Sequence, residues 1–510
     1  MTMNLSDWIE RWAGFAADKP AIRYEGAEIS YGGLARHIAR ISGALSGTLG
    51  IRKGERVAWL GLNNAESIAL LFACARIGAI FTPLNWRLTP VEHLALMADS
   101  EPSLLVVEPE FADAIAAKKV VVTGPRLACT GGPRAGWLDW DSMVEAAPLL
   151  GGGEGRAEDP LLLCYTSGTT GLPKGAIHTQ DGMLWNAVNS TQMHDLTSQD
   201  RVLTTLPIFH VGGLNIQTMP ALHAGATVTL HRRFDAATTL NTLVGERITL
   251  AVLVPTQLDL LLSEPGWAGA DLSALRCITT GSTIIPAGLV RTIQARGIPV
   301  IQIFGSTETG PVAVFQRVAD SARVGVAGHC AVHCEMRLVD GEGNDVPAGQ
   351  SGEVLIKGRN IMTGYWRDEA ATRAALKDGW FATGDIGHLD ADGYLVIDDR
   401  KKEMIISGGE NIFPAALEAI LGECPDIEEA AVVGRPDDRW GEIPVAVVVP
   451  RPGARLTEEG VLALFKDKVA RYKHPRAVIF AEQLPRTSIG KLIKADIRKL
   501  ARQAPQSSSS

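Results

Sequence analysis

The sequence predicts an α/β protein: a large N-terminal part of doubly wound sheets with a β subdomain, followed by a small α+β C-terminal part. Three observations carry this. Short apolar runs alternate with helical segments between residues 56 and 304, the pattern of parallel strands joined by helices. After about residue 324 the texture changes, and runs at 336–339 and 352–356 flank the turn Asp340-Gly341-Glu342-Gly343, as in a smaller β unit. Finally, 510 residues exceed one ordinary core, so two to four domains or subdomains are expected.

The elements follow in order. Leu5, Trp8, Ile9 and Trp12 keep helical spacing among Asp7 and Glu10, which predicts an amphipathic helix rather than a signal peptide. A strand at 57–60, a helix at 65–77 and a strand at 79–83 come next. The apolar stretch 68–84 is interrupted by Arg76 and reaches Pro83 near its end, which argues against a membrane span. Further strands are expected at 104–107, 120–122, 161–165, 202–206, 227–230, 250–254, 276–280 and 300–304. A charged patch at 399–403 marks the boundary between an N-terminal domain, 1–400, and a C-terminal domain, 401–510. In the latter, strands at 430–433, 445–449 and 477–480 accompany a helix at 461–471, and 503–510 read as a disordered tail.

Composition narrows the function classes. A net charge of −8 argues against general nucleic-acid binding, so any anionic ligand is held by local groups. Seven scattered cysteines without a framework pattern point to reduced thiols and a cytoplasmic protein.

The chemistry centres on TSGTTGLPKG at 166–175, directly after the apolar run 161–165. Glycines Gly168 and Gly171 let the backbone approach a ligand. Amide N–H groups and the hydroxyls of Thr166, Ser167, Thr169 and Thr170 suit phosphate oxygens, and Lys174 adds positive charge. A polyphosphate is the expected guest. The spacing is not that of a Walker loop, because Gly168 and Gly171 enclose only two residues and no Lys-Ser/Thr pair follows.

Five further stretches stand out: PIFHVGG at 207–213, FGSTETG at 304–310, TGD at 383–385, DRKKEMIISGGENIFPAALE at 399–418 and PRTSIGK at 485–491. With the glycine loop, their order and spacing resemble the adenylate-forming superfamily, in particular its acyl-CoA synthetase branch. The resemblance runs from about Ser30 to Lys494. It implies a two-step reaction in which a carboxylate attacks the α-phosphate of Mg-ATP and releases pyrophosphate. After the mobile C-terminal domain has swung, coenzyme A thiol displaces AMP from the acyl-adenylate. ATP, Mg2+ and coenzyme A are the implied cofactors.

The resemblance also implies roles, position by position. Phe304 stands where the family has tyrosine and would stack on adenine, beside Gly305 and with Gly281 and Ser282 in the nucleotide site. Thr307 would bond the α-phosphate, and Glu308, with Thr170, would hold Mg2+ through oxygen. Asp385 would accept the ribose hydroxyls and Arg400 would complete the ribose and phosphate contacts. Lys491 would bridge carboxylate and α-phosphate, Lys402 would be the hinge, and Gly408 and Gly409 would line the pantetheine tunnel. Trp440, near Arg439 and the run Lys466, Lys468, Arg471, Lys473 and Arg476, would meet the nucleotide end of coenzyme A.

Specificity follows from the same comparison. His210 would gate the acyl carbon, where amino-acid-activating relatives carry an aspartate, so an amino-acid substrate is disfavoured. Val211, Gly281, Thr283, Ile284, Pro311 and Val312 would form a mostly apolar pocket for a fatty, alicyclic or aromatic monocarboxylate. Two alternatives stay open: an acyl-AMP ligase that loads a carrier protein, and a non-catalytic nucleotide-binding homologue. His329, Cys330, His333 and Cys334 look like metal ligands, but alternation along a strand sends neighbours to opposite faces. The expected partners are the carboxylate, ATP and coenzyme A, with no nucleic acid and no membrane span. A homodimer is the assumed assembly, with no residue pointing to it.

Overall fold

The computed structural model describes residues 4–117, 124–166, 173–281, 285, 287–400, 405–412, 414–485, 492 and 494–503. Two compact units emerge, the first made of Met1–Trp86, Met97–Tyr165 and Gly175–Asp399. The second comprises Arg87–Leu96, Thr166–Lys174 and Arg400–Ser510, so two short N-terminal segments join the C-terminal residues.

The first unit holds two large sheets and a smaller one. In one large sheet, Arg56–Leu60 pairs in parallel with Ile80–Leu84 on one side and Leu104–Val107 on the other. In the second, Val300–Phe304, Cys277–Gly281, Leu250–Val252, Arg201–Thr204 and Thr227–Leu230 lie side by side in parallel. Chain order reverses next to Arg201–Thr204, because its sequence neighbours Thr227–Leu230 and Leu250–Val252 flank it on opposite sides. Crevices at the carboxyl ends of strands beside such a reversal are where open α/β sheets bind ligands.

The helix Ala65–Ile77 shows why these sheets pack as they do. Asn64 caps it by accepting from Glu66 N at 2.9 Å, and Gly78 ends it at φ 75°. Every residue in it except Glu66 is buried, as expected of a helix apolar on all sides inside a large protein. Arg76 is buried as well, at 1% exposure, and is satisfied by Ser6 Oγ at 3.1 Å, Leu150 O at 2.8 Å and Glu10. The helix Ser6–Ala16, expected from its amphipathic pattern, supplies the last of these groups.

In the second unit, Gly441–Pro450 lies between Ile427–Asp437 and Ala477–Phe480. Alternation along these strands serves two cores. Val432, Ala446 and Val448 meet Leu417 and Leu421 of the helix Pro414–Gly422, while Val433, Val445 and Val447 meet Ile497 and Ala501 of Lys494–Gln503.

Several expectations shift. The sheets are not wholly parallel: Pro20–Tyr24 and Ala27–Ser30 form an antiparallel hairpin at one edge, and Val314–Phe315 runs antiparallel near the other. The expected strand at 202–206 stops at Thr204, where its pairing with Thr227–Leu230 ends at Leu230 and that with Leu250–Val252 has already ended at Leu203. Helix 461–471 is shorter and earlier, Glu458–Ala463, and the left-handed backbone of Asp467 (φ 63°) lies beyond its end. Lys174 opens the strand Lys174–Thr179 instead of ending a loop. Residues 120–122 lie outside the described residues, and among those described no helix is long and apolar enough to cross a membrane.

Candidate active site

Three of the expected site segments leave the carboxyl ends of parallel strands in one sheet. PIFHVGG follows Arg201–Thr204, Gly281 ends Cys277–Gly281, and Phe304 ends Val300–Phe304. Leu250–Val252 separates the first of these strands from the other two, and because all four run parallel the three segments emerge at the same end of one sheet. His210 immediately precedes the short helix Val211–Gly213 without a side-chain capping bond, and its ring lies 4.3 Å from that of Phe209. Val211 and Val312 are both buried.

The 304–312 loop is lashed down from several directions. Asn186 donates to Asn215 O at 2.7 Å and accepts from Val312 N at 2.9 Å. Asn215 donates to Gly310 O at 2.9 Å, and Asn360 donates to Thr309 O at 2.6 Å. His178 meets Thr307 O at 2.7 Å, and burial pushes its pKa down, so the neutral ring donates. Thr307–Thr309 forms a single helical turn, with Ser306 N bonded to Thr309 Oγ1 at 2.8 Å. Glu308 receives the hydroxyl of Tyr365 on Oε1 at 2.8 Å. Burial and the Glu308 carboxylate push that phenol up, so Tyr365 stays a donor.

None of Asn186, Asn215, Asn360, His178 and Tyr365 was singled out from the sequence. Each sits far along the chain from the residue it positions, and a buried asparagine looks like a surface one in a pattern. His178 alone had a signal, since it lies four residues beyond Lys174 in the continuation of the glycine-loop motif.

The other expected positions fall as follows. Gly305 passes so close to the loop that a Cβ there would lie 1.8 Å from Pro311 O. Phe304 is half-buried and packs against the cluster containing Ala313 and Ile361. Asp385 is buried on the strand Trp380–Leu389, directly after Gly384 at φ 73°. Thr166 Oγ1 donates to Lys174 O at 3.3 Å across the base of the glycine loop. Arg400 ends the strand Leu395–Arg400, with its side chain outside the described part. Ser167, Gly168, Thr169, Thr170, Gly171, Ser282, Thr283, Ile284, Lys402 and Lys491 lie outside the described residues.

Within the second unit, Trp440 is flanked by Arg439 and Arg476, whose guanidinium carbons lie 5.1 and 5.5 Å from its ring centre. Gly408 has φ 57°, and a Cβ there would meet Trp440 Cε3 at 2.7 Å. Its missing side chain therefore makes room for the indole. The basic run is divided: Lys468 pairs with Glu423 at 2.5 Å and Lys473 with Glu92 at 2.8 Å.

The His/Cys segment does not converge. The His329 ring packs on Tyr394 at 3.9 Å, His333 on Trp185 at 4.8 Å, and Cys334 donates to Asn360 Oδ1 at 3.1 Å. Among the described residues no group of three or more such side chains could hold a metal ion.

A fully buried histidine lies at the far end of the helix Gln180–His194. Burial, the largest cause, pushes His194 down to about 4 despite its bond to Ser190 O at 2.8 Å. Arg276 also lowers it, and Asp200 and Asp195 act the other way. With a folded pKa below the unfolded 6.5, its contribution to stability is present above pH 6.5 and is lost as pH falls toward 4. The loss should reach about 3 kcal/mol. Urea unfolding of wild type between pH 7.5 and 4.5 should show this slope, and His194→Gln should flatten it. An unchanged slope in the variant would rule out His194 as its source.

The AMP-binding enzyme family matches residues 9–366, and its C-terminal domain family matches residues 416–491. An indoleacetate–CoA ligase from Aromatoleum aromaticum is 52% identical over 98% of both chains. A feruloyl-CoA synthase from Amycolatopsis is 40% identical over 97% of this chain and 99% of its own. Among solved structures, an o-succinylbenzoate CoA synthetase double mutant from Bacillus subtilis, bound with its product analogue, superposes with a TM-score of 0.87. It is 31% identical and covers 96% of this chain and 98% of its own.

Proposed function

The chain belongs to the AMP-binding enzyme family and is an AMP-forming acyl-CoA synthetase; from that premise we propose that the acid it activates is an arylacetate, indole-3-acetate foremost. The observation that carries the proposal is the 52% identity, over nearly the whole of both chains, to an indoleacetate–CoA ligase. The buried Val211 and Val312 support an apolar acyl group, and His210 in place of an aspartate leaves no anion there for an ammonium.

ATP and coenzyme A are the other substrates. A carboxylate oxygen attacks the α-phosphorus and pyrophosphate leaves. The coenzyme A sulfur then attacks the acyl carbon and AMP leaves with the bonding pair. In our assignment the glycine loop grips the leaving pyrophosphate and Lys491 supports charge on the bond being made. Asp385 and Arg400 hold the ribose end, and Phe304 backs the base. Lys402 is the proposed hinge between a domain of residues 1–400 and one of 401–510, and Gly408 and Gly409 admit the thiol arm.

Glu308 and Thr170 would hold Mg2+. The fit is favourable, because Tyr365 anchors one carboxylate oxygen of Glu308 and hard oxygen donors are what this ion takes. When bound, the ion would neutralise phosphate charge. We further assign the protein to the cytoplasm, in keeping with its free thiols, as a homodimer that light scattering would test.

The central test is carboxylate-dependent ATP–pyrophosphate exchange across arylacetates, benzoates and fatty acids, followed by thioester detection. Indole-3-acetate and phenylacetate should exceed medium-chain fatty acids by at least about tenfold in kcat/KM. Exchange supported only by fatty acids or benzoates would overturn the arylacetate assignment.

A further inference from the structure

A few residues beyond PIFHVGG, the core holds a polar feature that apolar packing does not need. Gln217 is 2% exposed, yet its Oε1 is buried with no hydrogen-bond partner. Native interiors rarely leave a buried acceptor unused. Gln217 sits in the π-helical turn Leu214–Thr218 that follows PIFHVGG, and such turns recur at functional sites.

A chain of neutral groups directs the amide. Ser190 Oγ donates to Ile216 O, which uses up its proton. His194 therefore presents Nδ1–H to Ser190 O at 2.8 Å, which leaves Nε2 as an acceptor. Thr279 Oγ1, at 2.8 Å, must donate to that nitrogen. It then accepts from Gln217 Nε2 at 3.3 Å. All four side chains are at least 98% buried, so solvent cannot reverse the order. The oxygen of Gln217 is thus fixed as an acceptor awaiting a donor. Asn189 and Asn215 also leave an amide oxygen without a donor, but their nitrogens hold the backbone of the 310–312 loop.

The position suits the far edge of an aryl group. Thr279 and Gly281 point to the same face of their strand, so Thr279 lies about 7 Å deeper than Gly281. Gly212, two residues after His210, has nothing within 4 Å of where its Cβ would be, which leaves room for a bulky ring. In indole-3-acetate the ring N–H lies across the five-membered ring from the acetate arm. We infer that Gln217 accepts this N–H and thereby selects arylacetates with a ring donor, an inference that rests on the arylacetate assignment above.

The test compares kcat/KM for indole-3-acetate with that for benzothiophene-3-acetate, the same shape without the donor, in wild type and in Gln217→Met. Wild type should prefer indole by about 10- to 100-fold, the effect of leaving one buried acceptor unpaired. In Gln217→Met the ratio should fall to within about threefold of one. Thermal melting checks that the variant folds, and Gln217→Leu serves if it does not. Equal use of both acids by wild type would overturn the inference, as would an equal loss on both acids in the variant. If neither acid nor phenylacetate supported exchange, the arylacetate assignment itself would fall, and a preserved rate with phenylacetate separates that outcome from failure of the Gln217 inference alone.

Discussion

Gly305→Ala should lower ATP–pyrophosphate exchange by at least about 100-fold and reduce the melting temperature by several degrees. The added Cβ would fall 1.8 Å from Pro311 O and 2.7 Å from Thr309 Oγ1. Neither obstacle can yield cheaply. One is backbone, and the other is the hydroxyl that receives Ser306 N. The loop must therefore open by more than an ångström between Phe304 and Pro311. Thr307 and Glu308, held to the rest of the unit through His178 and Tyr365, lie inside that segment. Displacing a positioned group by about 1 Å can cost two orders of magnitude in rate, even where no reacting atom is removed. Exchange within threefold of wild type would show that the close passage of Gly305 is not what positions the loop.

The second large effect separates the two half-reactions. Lys491→Ala should lower adenylation by about 100-fold or more, the cost expected if this lysine supports the charge on the bond being made, as proposed above. The same variant should still convert supplied acyl-adenylate to thioester. Gly409→Leu should do the reverse, sparing exchange and losing thioester formation. Gly409 has φ 81°, a conformation that costs a side-chain-bearing residue about 1–2 kcal/mol, and its neighbour Gly408 has φ 57° against Trp440. A folding control is therefore part of this experiment. If both variants failed at the same half-reaction, the assignment of Lys491 and Gly409 to separate steps would be wrong.

How much was legible in the sequence differs by type of residue. The helix 65–77 and the strands 104–107, 227–230 and 300–304 appear at the expected residues. Apolar periodicity, a capping asparagine and a terminating glycine act within a few residues, and the code for them is local. The motifs that carry the family resemblance were legible for the same reason, since each is a continuous run of twenty residues or fewer. The chain's membership of the AMP-binding enzyme family follows from their order.

What positions those motifs was not legible. His178 reaches Thr307 across 129 residues, Asn189 reaches Val312 across 123, and Asn215 reaches Gly310 across 95. A buried polar side chain takes whatever partner packing brings to it, and no spacing rule records that choice. The grouping of Arg87–Leu96 and Thr166–Lys174 with the C-terminal residues is of the same kind. So is Gln217, whose amide direction depends on the protonation of a histidine two elements away. By itself, then, the sequence determined the class of fold and the family, because short-range patterns encode them. Only the tertiary structure decided which buried groups hold the 304–312 loop in place and which amide oxygens of the core are left without a donor, because hydrogen bonds in a water-excluded core are settled by long-range packing.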